Sequence, residues 1–147
     1  MLPMSLPIIV IASDHAGVSF KEALKPLLEG LASEVIDLGA HGEQSVDYPD
    51  YGDAMAKTIL SGKAQFGIAI CGSGVGISIA ANRHKGIRAA LCTDGLTASL
   101  SRRHNDANVL CLGARLIGID TARDCITQFL ATSFEGGRHQ KRIDKLG

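Results

Sequence analysis

The stretch FGIAICGSGVGISIAANRH, residues 66–84, decides the fold. Its first five residues are apolar or glycine throughout, which reads as a strand covered on both faces rather than wetted on alternate sides. Gly72, Gly74 and Gly76 then permit a sharp reversal with close backbone approach, and Ile77 to Ala81 resume with helical spacing. Strand, glycine loop and helix in that order begin a βα crossover. Cys71 stands where the strand ends, and a thiol at the mouth of such a loop calls for a chemical reason.

Working outward, four more runs have the same continuous, β-branched character: IIVIA at 8–12, EVIDL at 34–38, IRAALC at 87–92 and NVLCLG at 108–113. Helical periods lie between and after them: Phe20, Leu24, Leu27, Leu28 and Leu31; Met55 and Ile59 before Gly62; Leu96 and Leu100; Ile119, Ala122, Ile126, Phe129 and Leu130. Pro26 interrupts the first period and predicts a helix that is kinked or begins late. Regular alternation predicts an α/β fold, a single Rossmann-like three-layer α/β/α domain over residues 1–147 with a five-stranded parallel sheet. The tail EGGRHQKRIDKLG pairs a Gly136-Gly137 joint with a short basic helix.

Ligands of such sheets sit beyond the carboxyl ends of the strands. Asp14 and His15 follow the first strand, Tyr48 lies after the second and Cys71 ends the third, so the four are expected to share one crevice. His104 and Asn105, in SRRHNDANV, come between a helix and the fifth strand, at the opposite, amino edge. Arg138 and Arg142 follow a helix that also runs back to that edge, and their spacing puts them on one helical face.

Composition narrows the function. At 147 residues the chain can bury roughly 68–70% of its unfolded surface, so it needs no disulfide or metal staple. Fifteen basic and 15 acidic residues cancel, which removes the electrostatic footprint of a nucleic-acid binder and favours a small ligand. The four cysteines have no CxxC pair and no zinc-like spacing, so free thiols in a reducing compartment are expected. The apolar start carries no Lys or Arg before Lys21, unlike a signal peptide, and no run reaches the roughly 18 apolar residues of a membrane helix. The expectation is a cytoplasmic protein with no membrane or nucleic-acid partner. No one element carries His, Cys and carboxylate at ligand spacing, so neither metal nor cofactor is expected.

The loop Gly72, Ser73, Gly74, Val75, Gly76 turns backbone N–H groups toward a common point and leads into the positive end of a helix, an arrangement that favours an anion. A thiol there should fall from about 8.5 toward the range of roughly 3.5–7.5 found at helix N-termini, which suits it to act as a base. Cys92 and Cys111, inside strands, read as packing residues. The loop also admits a nucleotide reading, but the sixth position of a GxGxxG fingerprint is here Ile77, although Asp94 follows the fourth strand where a ribose-binding acid would stand. A redox-sensitive thiol at Cys71 is a third reading. His41 and His84 are assigned to the surface, and His139 beside Arg138 is open.

Together, ASDHAG, VDYPDYG, CGSGVGISIAANRHKGIRAA, LSRRHNDANVLCLGAR and FEGGRHQKRI resemble the type B ribose-5-phosphate isomerase family, which also includes galactose-6-phosphate and allose-6-phosphate isomerases. The resemblance covers nearly the whole chain. It implies metal-free aldose–ketose isomerisation of a phosphorylated sugar, with ribose 5-phosphate first and a six-carbon sugar phosphate as the alternative. Cys71 matches the base that moves a proton between C1 and C2 through an enediolate; Gly72, Ser73, Gly74, Val75 and Gly76 match the loop that holds its oxyanion. His104 matches the ring-opening residue, with Asn105 beside it. Asp14, His15 and Tyr48 match sugar contacts, and Arg138, Arg142, Arg115 and His139 the phosphate group. The amino-edge placement, with the resemblance, predicts a homodimer whose sites mix both chains, with pairing into a tetramer left open. Ser73 replaces a frequent threonine, and CTDGLTASLS departs from the usual pattern, which bears on sugar preference. Some members carry a carboxylate instead of the cysteine; this chain has Cys71.

Overall fold

The computed structural model describes residues 5–147. Strands β1 (Ile8–Ser13), β2 (Glu34–Asp37), β3 (Phe66–Cys71), β4 (Ala89–Leu91) and β5 (Val109–Gly113) form one parallel sheet in the order β2-β1-β3-β5-β4. Helices α1 (Val18–Leu31), α2 (Tyr48–Leu60), α3 (Val75–Asn82), α4 (Gly95–Asn105) and α5 (Ile119–Ala131) cover both faces, and α6 (Arg138–Asp144) closes the chain. The parallel α/β architecture expected from the alternation is therefore present.

Period-two alternation divides the core. Ile9, Ile11, Ile68, Ile70, Leu110 and Leu112 face α1, α4 and α5 with Leu24, Leu28, Ile126 and Phe129. Val10, Ala12, Ala69, Cys71, Val109 and Cys111 face α2 and α3 with Met55 and Ile77. The second set is smaller because its helices lie closer. A Cβ built on Gly67 would stand 2.6 Å from Met55 Sδ, and one on Gly52 of α2 only 2.7 Å from Ala80 Cβ of α3.

Two local expectations are corrected. Helix α1 begins at Val18, well before Pro26, and runs through it, so the proline does not delay the start. Leu96 is 68% exposed rather than part of the α4 core stripe, which is carried by Ala98 and its neighbours.

Because α1 leaves β1 on one face while α3 leaves β3 on the other, the β1–β3 boundary opens a crevice at the carboxyl edge. At the amino edge, the end of α4 is stapled. Arg102 donates to Asp106 Oδ1 at 2.9 Å and to the Ala107 carbonyl at 2.6 Å, and its guanidinium lies 4.8 Å from the Phe66 ring centre and 5.7 Å from that of Phe129. Asp106 ends the helix in the left-handed region, φ 46°. This anchors the buried side of α4 and leaves His104 and Asn105 facing outward.

Candidate active site

The carboxyl-edge residues assemble as expected. Ser13 pairs with Ile70 across β1 and β3, and the Asp14 N–H donates to the Ile70 carbonyl at 3.2 Å, which sets Asp14 beside the end of β3. Asp14 is buried, and its carboxylate accepts from the Ala16 N–H at 3.0 Å, capping the short turn His15–Gly17. His15 Nδ1 accepts from the Val46 N–H at 3.1 Å, so its other nitrogen, Nε2, carries the proton of the neutral ring. The loop after β2 is tied to the same point, since the Ser13 N–H donates to the Gly39 carbonyl at 2.7 Å.

Cys71 is 4% exposed, its side chain on the α2/α3 face of the sheet. The Gly74 N–H donates to its sulfur at 3.1 Å. Gly74 has φ 78° and lies so near β5 that a Cβ there would meet the Leu112 carbonyl carbon at 2.9 Å, so only glycine fits. Val75 N–H is taken by Ser73 Oγ at 3.2 Å, and the remaining first-turn amides of α3 have no acceptor within their own helix. The sulfur thus sits beneath a loop whose free donors are those of a helix N-terminus. Small exposure limits contact to a reactant that enters at the loop.

Two more side chains frame this loop. Tyr48 lies against Gly76, where a Cβ would come within 2.7 Å of its ring, and Arg115 crosses Gly72, whose Cβ would lie 3.3 Å from the guanidinium. Tyr48 and Gly76 also line a cavity of about 510 Å³ between α2 and α3, with Asp53, Ile79 and His84. His84, assigned to the surface from sequence, is half-buried and 2.6 Å from Asp53, whose carboxyl it holds below the usual range. Asp94 caps α4 through the Thr97 N–H at 2.7 Å, and Ile77 is wholly buried, so both features of the nucleotide reading have structural employment.

The other three thiols are buried among apolar side chains. Burial pushes Cys92 up to about 12 and Cys125 up to about 11, and raises Cys111 as well. Cys111, inside β5, and Cys92, which falls one residue past β4 rather than within a strand, are both fully buried packing residues.

His104, Asn105, Arg138 and Arg142 are not brought to Cys71 within the chain. They lie at the amino edge, where α4 ends and α6 packs. His139, open from sequence, is buried there, its ring stacked on His104 with centres 4.5 Å apart and planes 17° apart. Glu135 is the residue that sequence reasoning missed. Its N–H donates to the Arg103 carbonyl at 3.0 Å, and its carboxylate lies 3.4 Å from His139 Nε2, 4.0 Å from His104 Nε2 and 3.7 Å from Arg103 Nε. The only linear signal was its place four residues before His139. Despite the absence of ligand spacing on one element, the fold gathers His104, Glu135 and His139 within 4.8 Å, and likewise Glu22, Asp37 and His41. Among the described residues no helix is long and apolar enough to cross a membrane.

The comparisons agree with this fold. The family model described as Ribose/Galactose Isomerase matches residues 9–146. Ribose-5-phosphate isomerase B of Escherichia coli K12 is 42% identical over 138 residues, 94% of this chain and 93% of that protein. The structure of Clostridium thermocellum ribose-5-phosphate isomerase B superposes with TM-score 0.93 at 50% identity, covering 95% of each chain. That of a Thermotoga maritima ribose 5-phosphate isomerase gives 0.92 at 52% identity, covering 95% of this chain and 97% of the other. Likeness of this extent, in sequence and in backbone alike, means that the chain belongs to the ribose/galactose isomerase family.

Proposed function

We propose that this isomerase interconverts ribose 5-phosphate and ribulose 5-phosphate through an enediolate, with Cys71 as the base. The observation that carries the reading is the Cys71 sulfur under the Gly74 N–H at 3.1 Å, beside Asp14 and the open amides of α3. A sugar C–H is only weakly acidic, and it yields its proton when the neighbouring oxygen's growing charge meets oriented donors in a dry site. The Cys71 thiolate takes the proton from C2 of the open-chain aldose and the C1 carbonyl becomes the enediolate oxygen; the thiol then gives a proton to C1 while the O2 hydroxyl proton passes to O1, leaving the C2 carbonyl of the ketose. Ser73 and the open amides of the Gly72–Gly76 loop hold that oxygen; Asp14, His15 and Tyr48 contact the sugar.

His104 opens the ring, taking the proton of the anomeric hydroxyl and supplying one to the ring oxygen, with the Glu135 carboxylate 4.0 Å from its Nε2. Arg138 and Arg142, with Arg115, hold the phosphate. Within one chain this cannot work, because α4 spans roughly 15 Å between the sheet edges, far beyond hydrogen-bond reach. A two-fold homodimer supplies His104, Asn105, Arg138 and Arg142 from the partner subunit. Val75 and Ile79, one turn apart on α3, are 45% and 55% exposed beside Tyr48, an apolar strip next to the site that a second copy would cover. Four free thiols suit a cytoplasmic enzyme.

The test is conversion of ribose 5-phosphate by the wild type and by Cys71→Ala, with solvent deuterium entering C2 of recovered aldose. No turnover by the wild type, or full turnover by Cys71→Ala, overturns the assignment. Mixed Cys71→Ala and His104→Ala chains should regain activity in hybrid dimers; no gain after verified exchange rejects shared sites. The family's description includes galactose, so relative kcat/KM for pentose and hexose phosphates decides the sugar.

A further inference from the structure

Outside the crevice, the cluster of His104, Glu135 and His139 stands out because its chemistry is that of a ligand set. His139 is 6% exposed, and its Nε2 is buried without a hydrogen-bond partner, although the Glu135 carboxylate is only 3.4 Å away. A buried imidazole nitrogen without a hydrogen bond costs stability, and an ion shared with the nearby carboxylate would satisfy both groups. We infer that His104, Glu135 and His139 form a binding site for a divalent transition-metal ion such as Zn²⁺, occupied in competition with catalysis.

The distances support this. Zinc bonds of about 2.0–2.2 Å place two ligands of one tetrahedral ion roughly 3.3 Å apart. His139 Nε2 and Glu135 Oε1 already stand at 3.4 Å. His104 Nε2 is 4.0 Å from the same oxygen, so it must close by about 0.7 Å and tilt out of its stack on His139. Its side chain is 39% exposed and free to do so. Two imidazoles and one carboxylate leave the fourth position to water. Arg103 approaches the other carboxylate oxygen, at 3.7 Å, leaving Oε1 to the ion. Its charge, with Arg138 and Arg142 on α6, weakens binding, which fits a reversible site rather than a permanent one.

The second gathered cluster lacks this character. Asp37 and Glu22 are already neutralised by Lys21 and Lys25 at 2.7–3.1 Å, and a cation would have to displace two ammonium groups.

A metal at the first cluster would occupy His104 and stop ring opening, a consequence that rests on the isomerase reading; the binding itself does not. Cobalt(II) is the probe, since its absorption distinguishes nitrogen and oxygen ligands from thiolates. Wild type should take up one Co²⁺ per chain with a tetrahedral spectrum free of thiolate charge transfer, and Zn²⁺ should displace it. Glu135→Gln and His139→Gln should each weaken binding by at least about tenfold, since even the loss of a supporting contact typically costs 10–100-fold. His41→Gln should leave binding unchanged. Added Zn²⁺ should inhibit turnover at the concentration that displaces cobalt, and a chelator should restore it. A thiolate spectrum, binding retained by both Gln variants with circular dichroism intact, or loss in His41→Gln would each overturn the site. Correct binding with undiminished turnover would overturn the competition alone and count against His104 as the ring-opening residue.

Discussion

Gly113→Ala tests whether the loop geometry, and not merely the presence of Cys71, sets the rate. A Cβ at residue 113 would lie 2.5 Å from the Ser73 carbonyl oxygen, 2.7 Å from its carbon and 3.0 Å from its Cα. All three are backbone atoms, so no side chain can swing aside. Ordinary contact begins near 3.4 Å, which requires the Ser73 peptide to retreat by about 3.4 − 2.5 = 0.9 Å. The same peptide leads into Gly74, whose N–H meets the Cys71 sulfur at 3.1 Å, and a shift of that size breaks the contact. Displacement by about 1 Å in a catalytic constellation typically costs 10²-fold, equivalent to about 2.7 kcal/mol of barrier. Overpacking costs a further 1–3 kcal/mol of stability, offset in part by about 0.4–1 kcal/mol for the stiffer unfolded chain. The expected result is a folded protein, weakened by roughly 1–2 kcal/mol in urea denaturation, with kcat on ribose 5-phosphate reduced about a hundredfold. A kcat within threefold of wild type would refute the link between loop position and proton transfer.

Gly76→Ala should push the Tyr48 ring aside, and because Tyr48 is 41% exposed the ring can move at small cost; KM should rise about tenfold with little change in Tm. Asp37 feels opposing influences: burial alone would raise it, but hydrogen bonds from Lys21, the Gly39 N–H and Lys25 outweigh that and hold it at about 2 rather than 3.8. A depressed carboxylate stabilises the fold above pH 3.8 and loses that contribution as pH falls through about 2, a contribution of about 2 kcal/mol. Asp37→Asn should flatten the acid limb of stability by that amount. It should also cost about 3 kcal/mol near neutrality, because Lys21 is fully buried and keeps only Glu22, as urea titrations at fixed protein concentration can measure. Arg102→Met should cost about 2–3 kcal/mol in the same assay by stranding the Ala107 carbonyl, and should lower kcat by loosening the end of α4 that carries His104.

Much of this molecule is legible along the chain. Continuous β-branched runs separated by helical periods can bury themselves only as a covered parallel sheet, and strand ends alone place Asp14, Tyr48 and Cys71 at one edge and His104 at the other. Those are consequences of local period and chain direction, which a linear sequence records. Strand β4 shrank from 87–92 to Ala89–Leu91 because pairing with β5 alone limits an edge strand.

What the tertiary structure decided is contact between residues far apart in sequence. The strand order β2-β1-β3-β5-β4, the Gly74 amide on the Cys71 sulfur and the Tyr48 ring on Gly76 depend on how elements pack, and no period encodes that. Glu135 is the clearest case. As a lone acid before two glycines it has no pattern, and it gains meaning only when the Arg103 carbonyl captures its N–H and sets its carboxylate between two histidines from different helices. The sequence by itself determined class, layering and which edge each reactive group occupies, because those follow from local hydrophobic period; proximity across elements is a property of the packed core, and only the folded chain possesses it.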